Sequence, residues 1–282
     1  METNTLKMAI LVDGDNAKAS SLRIILEEVA KYGKVTIRRI YGDWTDKGMN
    51  SWKNLLNELS FTPIQKFTYT SGKNSTDGAL IIDAMDILHD QLVDGFCIVS
   101  SDSDFTGLAK RIREEGVFVM GVGVKTTPKA FVQSCEVFTY VENLMPPPVP
   151  EAALATDTKP KSKARKTVKS DVADKKEQTG TSKFPKKKQE VSRKRPAEAE
   201  KNTKVPEQVI ELVNKAFDYT AYDSDEVQLS TLGHAIRRID PSFDVRTYGF
   251  RTLLPFLKYM NLFEIQNKEM GGANNPVIKR KS

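Results

Sequence analysis

The sequence predicts an α/β protein: an open, doubly wound parallel sheet with helices on both faces, followed by a small C-terminal winged-helix domain. Three observations predict it. From residue 7 to 145, strand-like and helix-like segments alternate, the pattern of a parallel sheet whose crossovers are helices. Two strand-like segments, Gly95–Val99 and Gly116–Val124, are apolar almost throughout, as expected of strands covered on both faces. After a break in composition, helical spacing returns and ends in two short strand-like runs.

The elements follow in order. Lys7–Val12 is an apolar run that ends in Asp13-Gly14-Asp15-Asn16. From Ser20 to Tyr32, Leu22, Ile25, Leu26 and Val29 recur at helical spacing, and Gly33 is placed to stop the helix. Val35–Tyr41 alternates as a strand. Trp52, Leu55, Leu56 and Leu59 mark a second helix, and Phe61–Tyr69 reads as a strand with an early Pro63. Asp77–Leu92 is a third helix, apolar at Leu80, Ile81, Ala84, Ile87 and Leu88. Phe105–Glu114 is a fourth, a short helix spans Lys129–Ser134, and a last strand covers Val137–Val141. Right-handed crossovers then leave an open sheet of about five or six strands.

Residues 1–145 are thus one expected domain. Residues 146–204 open on Pro146-Pro147-Pro148, after Met145, and fill with Lys, Ala, Ser and Thr, with Phe184 their only aromatic. Such a stretch cannot bury enough apolar surface to offset chain entropy, so a disordered linker is expected. Residues 205–282 regain a core. Val209, Leu212, Val213, Ala216 and Phe217 define one helix, and Leu229, Leu232, Ala235, Ile236 and Ile239 a second. Tyr248–Met260 is a third, interrupted by Pro255, and Leu262–Gln266 with Pro276–Lys279 form a hairpin across Gly271-Gly272.

The net charge of +6 is unevenly spread. Residues 1–150 hold 16 Lys and Arg against 19 Asp and Glu, residues 151–204 hold 17 against 8, and residues 205–282 hold 10 of each. The positive excess therefore lies in the linker, where Lys186-Lys187-Lys188 and Arg193-Lys194-Arg195 suit a polyanion. No apolar run approaches the roughly 18 residues needed to cross a bilayer, so no membrane role is expected. The N-terminus lacks a basic region followed by an apolar core. Cys97 and Cys135 are isolated, which excludes a disulfide framework and a zinc motif and points to a reducing, cytoplasmic setting.

The chemistry is carried by acids placed just after strands. Asp13-Gly14-Asp15-Asn16 follows Ile10-Leu11-Val12, and Asp102-Ser103-Asp104 follows Ile98-Val99-Ser100-Ser101. Ligands of open parallel sheets bind at the carboxyl ends of strands, where connections diverge to opposite faces. If the first and fourth strands are neighbours there, Asp13 and Asp102 converge. Asp77 would join them from the first turn of the third helix. Carboxylates crowd together at a cost unless a cation lies between them, and an oxygen-only set suits Mg²⁺ or Mn²⁺. Such an ion polarises a phosphoryl oxygen and lowers the pKa of water, so no His or Cys is required; the chain has only His89 and His234. Each acid alone reads equally well as a turn residue or a helix N-cap, Asp104 before Phe105 included. Gly121-Val122-Gly123 has some look of a phosphate loop, but in a strand its glycines serve close packing.

The runs Ile10–Asn16, Lys73…Asp77…Asp83 and Ser100–Phe105 resemble the NYN domain, a PIN-like nuclease family with a Rossmann-like fold, over about residues 7–143. The resemblance implies a Mg²⁺- or Mn²⁺-dependent ribonuclease whose acids fall on Asp13, Asp77, Asp102 and Asp104. Asn16 matches the family's polar residue after the first acid and would hold phosphate or water. Asp83 is six residues beyond Asp77 and so about 120° away round a helix; it stays open between ligand and surface acid, and Asp15 is also unsettled. Lys73 and Lys125, in loops on the same sheet edge, read as solvated surface lysines or as contacts for substrate phosphates.

Residues 205–267 resemble the OST-HTH domain, also called LOTUS, on Leu229-Ser230-Thr231-Leu232-Gly233, Asp240-Pro241-Ser242-Phe243-Asp244 and Tyr248-Gly249-Phe250 with Leu253, Leu254 and Phe263. That family is a small winged helix implicated in RNA binding and sometimes in protein binding, so RNA and a protein partner are the implied ligands. Arg237, Arg238, Arg246, Arg251 and Lys258 are candidate backbone contacts, with Arg237 and Arg251 foremost; Tyr248 is read as core or as a base-stacking ring. The expected activity is hydrolysis of RNA phosphodiesters. A non-catalytic RNA-binding adaptor is the main alternative, and a DNA-directed nuclease or a phosphatase is a third.

Overall fold

The computed structural model describes residues 5–67, 75–145, 205–221, 225–270 and 273–281. The expected linker 146–204, Lys73 and the Gly271-Gly272 turn lie outside the described residues. The two structured segments belong to one compact unit.

The N-terminal part is a six-stranded sheet in the order β3-β2-β1-β4-β5-β6. Its strands are β1 (Lys7–Asp13), β2 (Lys34–Gly42), β3 (Thr62–Gln65), β4 (Gly95–Val99), β5 (Phe118–Gly123) and β6 (Val137–Tyr140). Every pairing between them is parallel. The helices α1 (Leu22–Val29), α2 (Lys53–Leu59), α3 (Ser75–His89), α4 (Thr106–Glu114), α5 (Lys129–Ser134) and α6 (Val141–Leu144) cover both faces. Side chains alternate along β1 between two cores. Ala9 and Leu11 join Leu80, Ala84, Phe105, Ile112 and Phe131 from α3, the α4 region and α5. Met8, Ile10 and Val12 join Leu22, Ile25, Val29 and Trp52 on the other side. The five residues of β4 are all buried, which explains their unbroken apolarity.

Local departures from the expected elements have physical reasons. The third helix ends at His89 rather than Leu92, because Gln91 turns left-handed (φ 51°) to aim the chain into β4. Pro63 is tolerated because β3 is an edge strand. The two glycines of β5 are there for packing. A Cβ on Gly121 would lie 2.4 Å from the Phe138 ring, and one on Gly123 would lie 2.7 Å from the Ser100 carbonyl oxygen.

The C-terminal part has α7 (Glu207–Thr220), α8 (Leu229–Ile239) and α9 (Leu253–Met260) around a sheet ordered β7-β9-β8. Here β7 is Glu226–Gln228, β8 is Phe263–Met270 and β9 is Ala273–Arg280. The expected hairpin is present and longer, and β7, too short to read in the sequence, adds a third antiparallel strand. The expected single helix over Tyr248–Met260 is corrected: Val245–Tyr248 is a separate 3-10 turn closed by Gly249 at φ 81°. Pro255 does not interrupt α9. It stands in the first turn, where its missing N–H is not needed. Tyr248 lies in an aromatic cluster, its ring centroid 5.4 Å from that of Phe256. The core here is built on Val213, Leu232, Ile236, Phe256, Leu257 and Ile278.

The two parts meet at the edge strand β6 and at the end of α1. The Phe138 N–H donates to the Pro241 carbonyl at 2.9 Å. Asn143 Nδ2 donates to Thr247 Oγ1 at 2.9 Å. Arg246 places both terminal nitrogens on the Glu28 carboxylate, at 3.0 and 2.9 Å.

Candidate metal centre

The strands β1 and β4 are neighbours, with Val12 opposite Val99. The crossover after β1 uses α1 on one face, whereas α3 leads into β4 on the other. The chain therefore diverges at the carboxyl ends of β1 and β4, the arrangement that leaves a crevice for a ligand. The acids predicted from the sequence stand around that crevice.

Asp13, the last residue of β1, is fully buried. Its Oδ1 accepts from the backbone N–H groups of Asp15 (3.2 Å) and Asn16 (3.3 Å). Its Oδ2 accepts from Asn16 Nδ2 (2.6 Å) and Ser100 Oγ (2.8 Å). Four donors hold a buried carboxylate by hydrogen bonds alone. Ser100 Oγ also accepts from the Asp102 N–H at 3.1 Å, so this one buried hydroxyl ties the end of β1 to the turn after β4.

Asp102 is the N-cap of a 3-10 turn over Ser103–Phe105, its side chain accepting from the Asp104 N–H at 3.0 Å. The capping role weighed for Asp104 therefore belongs to Asp102. Asp77 lies in the first turn of α3, where the helix dipole favours a negative charge. Its surroundings do not: burial and then the charges of Asp13, Asp102, Asp104 and Asp15 push its carboxyl up to about 6. Asp77, Asp102 and Asp104 each offer a carboxylate oxygen, and the three atoms lie within 4.8 Å of one another. Asp13 is not one of this trio. It stands beside them, with both oxygens committed to Ser100, Asn16 and backbone N–H groups.

Asp15 adds to the negative field, its carboxyl pushed up by burial and by Asp13, Asp43 and Asp46 against a hydrogen bond from Thr76. The question left open at Asp83 is answered by its partners: Arg39 holds one oxygen and the Tyr41 hydroxyl the other. Asp83 therefore braces β2, and the cost appears at Tyr41, whose hydroxyl is driven far up by burial and by the adjacent carboxylate.

Of the residues expected at substrate, Asn16 spends its amide N–H on Asp13, leaving its side chain otherwise exposed at the crevice. Lys125 is exposed in the turn after β5, its backbone N–H on Glu142 Oε1 at 3.1 Å. Lys73 lies outside the described residues. Arg237 and Arg251 are exposed on the C-terminal part and line a cleft whose lining includes none of the four acids. Arg246, taken from the sequence as a phosphate contact, is occupied by Glu28 and Asp244. Neither histidine belongs to the acidic group. The sequence placed Ser100 in the Ser100–Phe105 run without a role of its own, and it left out Lys18, which lines a small hollow with Asn16, Ser100 and Ser101. Its place five residues after Asp13 was the available signal.

The trio fits a hard divalent cation by donor chemistry: all its side-chain donors are carboxylate oxygens, and they crowd closely enough to raise Asp77. Both cysteines are buried thiols, pushed up by burial, and neither is part of the site. Among the described residues, no helix is long and apolar enough to cross a membrane.

Family comparisons bear on both parts. The NYN domain model matches residues 7–142, and the OST-HTH/LOTUS domain model matches residues 200–273. No curated protein matches the chain. Among solved structures, a protein of unknown function from Vibrio parahaemolyticus is 22% identical over 50% of this chain and 95% of its own, with a TM-score of 0.42. An uncharacterized protein from Nitrosomonas europaea is 20% identical over 34% of this chain and 92% of its own, with a TM-score of 0.27. A protein from Chromobacterium violaceum is 28% identical over 28% of this chain and 84% of its own, with a TM-score of 0.23. The chain therefore joins an NYN domain, a PIN-like α/β fold at residues 7–142, to an OST-HTH/LOTUS domain at residues 200–273.

Proposed function

We propose that this protein is a Mg²⁺- or Mn²⁺-dependent ribonuclease that hydrolyses RNA phosphodiester bonds, with its OST-HTH/LOTUS domain holding the RNA. The observation that carries the reading is the convergence of Asp77, Asp102 and Asp104 within 4.8 Å at the carboxyl ends of β1 and β4. An NYN domain is nuclease-like, and OST-HTH/LOTUS domains bind RNA, so both halves point to one substrate class.

Asp77, Asp102 and Asp104 are the residues that would hold the cation. A bound divalent ion would supply charge for the developing phosphorane and lower the pKa of water. The protein's own part is positional. Asp13, anchored by four donors, fixes the Ser100 hydroxyl, and Ser100 fixes the backbone of Asp102. Asn16 and Lys18 line the approach beside Ser100 and Ser101, where a scissile phosphate would lie. Lys125, exposed in the turn after β5, and Lys73, on its place in the sequence, are proposed phosphate contacts. Cleavage leaves a 3′-hydroxyl and a 5′-phosphate.

The test is cleavage of end-labelled RNA by the purified full chain with Mn²⁺, beside Asp77→Asn and Asp102→Asn. The expected result is cleavage that EDTA abolishes and that either substitution lowers by at least about a hundredfold. Equal cleavage by all three proteins would refute the site. RNA binding without cleavage under any divalent ion would make the protein an adaptor.

A further inference from the structure

A second constellation lies at the seam between the two domains. Glu28, its side chain only 7% exposed, receives Arg246 through both terminal nitrogens. Asp244 grips the same guanidinium at Nε, at 2.8 and 3.0 Å, and Lys31 reaches Glu28 at 2.5 Å. Beside this clamp opens a cleft of about 700 Å³, with walls drawn from α1, β6, α8 and the Pro241–Leu253 segment. Phe243 and Leu253 give it apolar walls, and Lys31, Arg237 and Arg251 give it positive ones.

The charges do not cancel. Lys31, Arg237, Arg246 and Arg251 face only Glu28 and Asp244 in the lining, so the cleft keeps +2. Glu28 and Asp244 are already spent on Arg246 and Lys31. Among the described residues, Arg237 and Arg251 make no ion pair. Nucleotide-sized clefts form preferentially at domain junctions. Apolar walls beside unpaired arginines suit a stacked base and its phosphates.

We propose that this cleft is a binding site for single-stranded RNA shared by the two domains, with Arg237 and Arg251 on successive phosphates and the Glu28–Arg246 clamp holding the walls together. The proposal rests on RNA being the substrate, and it assigns the strand a path through the seam that neither domain provides alone.

The experiment measures binding of a fluorescently labelled single-stranded RNA to the full chain by anisotropy, in EDTA, across a salt series. It needs neither metal nor cleavage. Arg237→Glu with Arg251→Glu is compared with Arg238→Glu with Lys258→Glu, an equal charge change on the same domain outside the cleft lining. The cleft pair should weaken binding at least about tenfold more than the control pair and reduce the salt slope by about 1.4, as two lost phosphate contacts require. Equal losses would overturn the proposal.

Glu28→Arg supplies an opposite-signed test. It adds positive charge, which a diffuse electrostatic attraction turns into tighter binding. In the shared cleft it repels Arg246, parts the walls and weakens binding roughly fivefold or more. Tighter or unchanged binding would reject the shared site, and the paired-arginine comparison stands by itself if this variant fails to fold. Cleavage in Mn²⁺ with undiminished binding by the cleft pair would keep the nuclease reading and discard the cleft. Weakened binding with no cleavage in any metal would do the reverse.

Discussion

Replacing Ser100 by Ala removes a single oxygen from the centre of the acidic crevice. That oxygen donates to Asp13 Oδ2 at 2.8 Å and accepts from the Asp102 N–H at 3.1 Å, in a residue only 2% exposed. A hydrogen bond to a charged group contributes about 1.5–3 kcal/mol, and an orphaned buried N–H costs about 1–3 kcal/mol. Partial entry of water offsets some of this, so the expected loss is about 2–4 kcal/mol. The chain's two tryptophans, Trp44 and Trp52, both lie in the NYN domain, so urea unfolding followed by tryptophan fluorescence in EDTA reports on that domain. Ser101→Ala is the reference, since among the described residues its hydroxyl accepts only the Val124 N–H, at 2.9 Å in a partly buried position. It should cost about 1 kcal/mol. A Ser100→Ala midpoint no lower than that of Ser101→Ala, at unchanged slope, would show that the hydroxyl does not tie Asp13 to Asp102. The same variant should bind Mn²⁺ more weakly, because the backbone that presents Asp102 loses its anchor.

Asp77 predicts an inverted pH response. Its carboxyl is pushed up to about 6 from 3.8, so the folded state binds the proton more tightly than the unfolded chain. Its contribution to metal-free stability is therefore greatest in acid and is lost as pH rises through about 6; Asp77→Asn should flatten that dependence in thermal unfolding. Mn²⁺ competes with the same proton, so the thermal shift it produces should shrink below about pH 6, and a shift constant from pH 5 to 7.5 would refute the assignment. Glu28 behaves oppositely. Burial opposes its charge, but the hydrogen bonds from Arg246 and Lys31 prevail and hold its carboxyl below the ordinary 4.5, so the clamp is intact above 4.5 and is lost as pH falls through the depressed value. Small-angle scattering should then show the two domains separating in acid, and Arg246→Ala should show that separation already at neutral pH, without the acid transition. Gly123→Ala should destabilise by about 1–3 kcal/mol, because its Cβ would meet the Ser100 carbonyl oxygen at 2.7 Å and Thr127 Oγ1 at 2.6 Å; a neutral result in urea unfolding would contradict the tight β4–β5 contact.

Much of the fold was legible because periodicity and burial are local signals. The unbroken apolarity of Gly95–Val99 marked a central strand, and the acids after β1 and β4 marked a crevice once those strands are neighbours. The site was less legible wherever a role depends on partners distant in sequence. Asp83 stayed open between ligand and surface acid until Arg39 and Tyr41, 44 and 42 residues earlier, were seen to hold it. Arg246 looked like a phosphate contact, and its carboxylate partner is 218 residues away. Ser100 stood in the Ser100–Phe105 run but drew no role of its own, since serine after a strand also reads as a turn residue. Pro255 misled because proline stops a helix interior but suits a first turn.

The bond from Phe138 to Pro241 bears on how this protein can be dissected. In an open sheet, the last strand presents backbone donors and acceptors that invite a neighbour of the same kind. Here β6 is that strand, and the C-terminal domain occupies one of its outward-facing N–H groups. Cutting the chain after residue 145 to isolate the nuclease-like half would strip this cover. Two truncated copies would then be free to join edge to edge through β6. Self-association of such a fragment would be a product of the cut and says nothing about the intact chain.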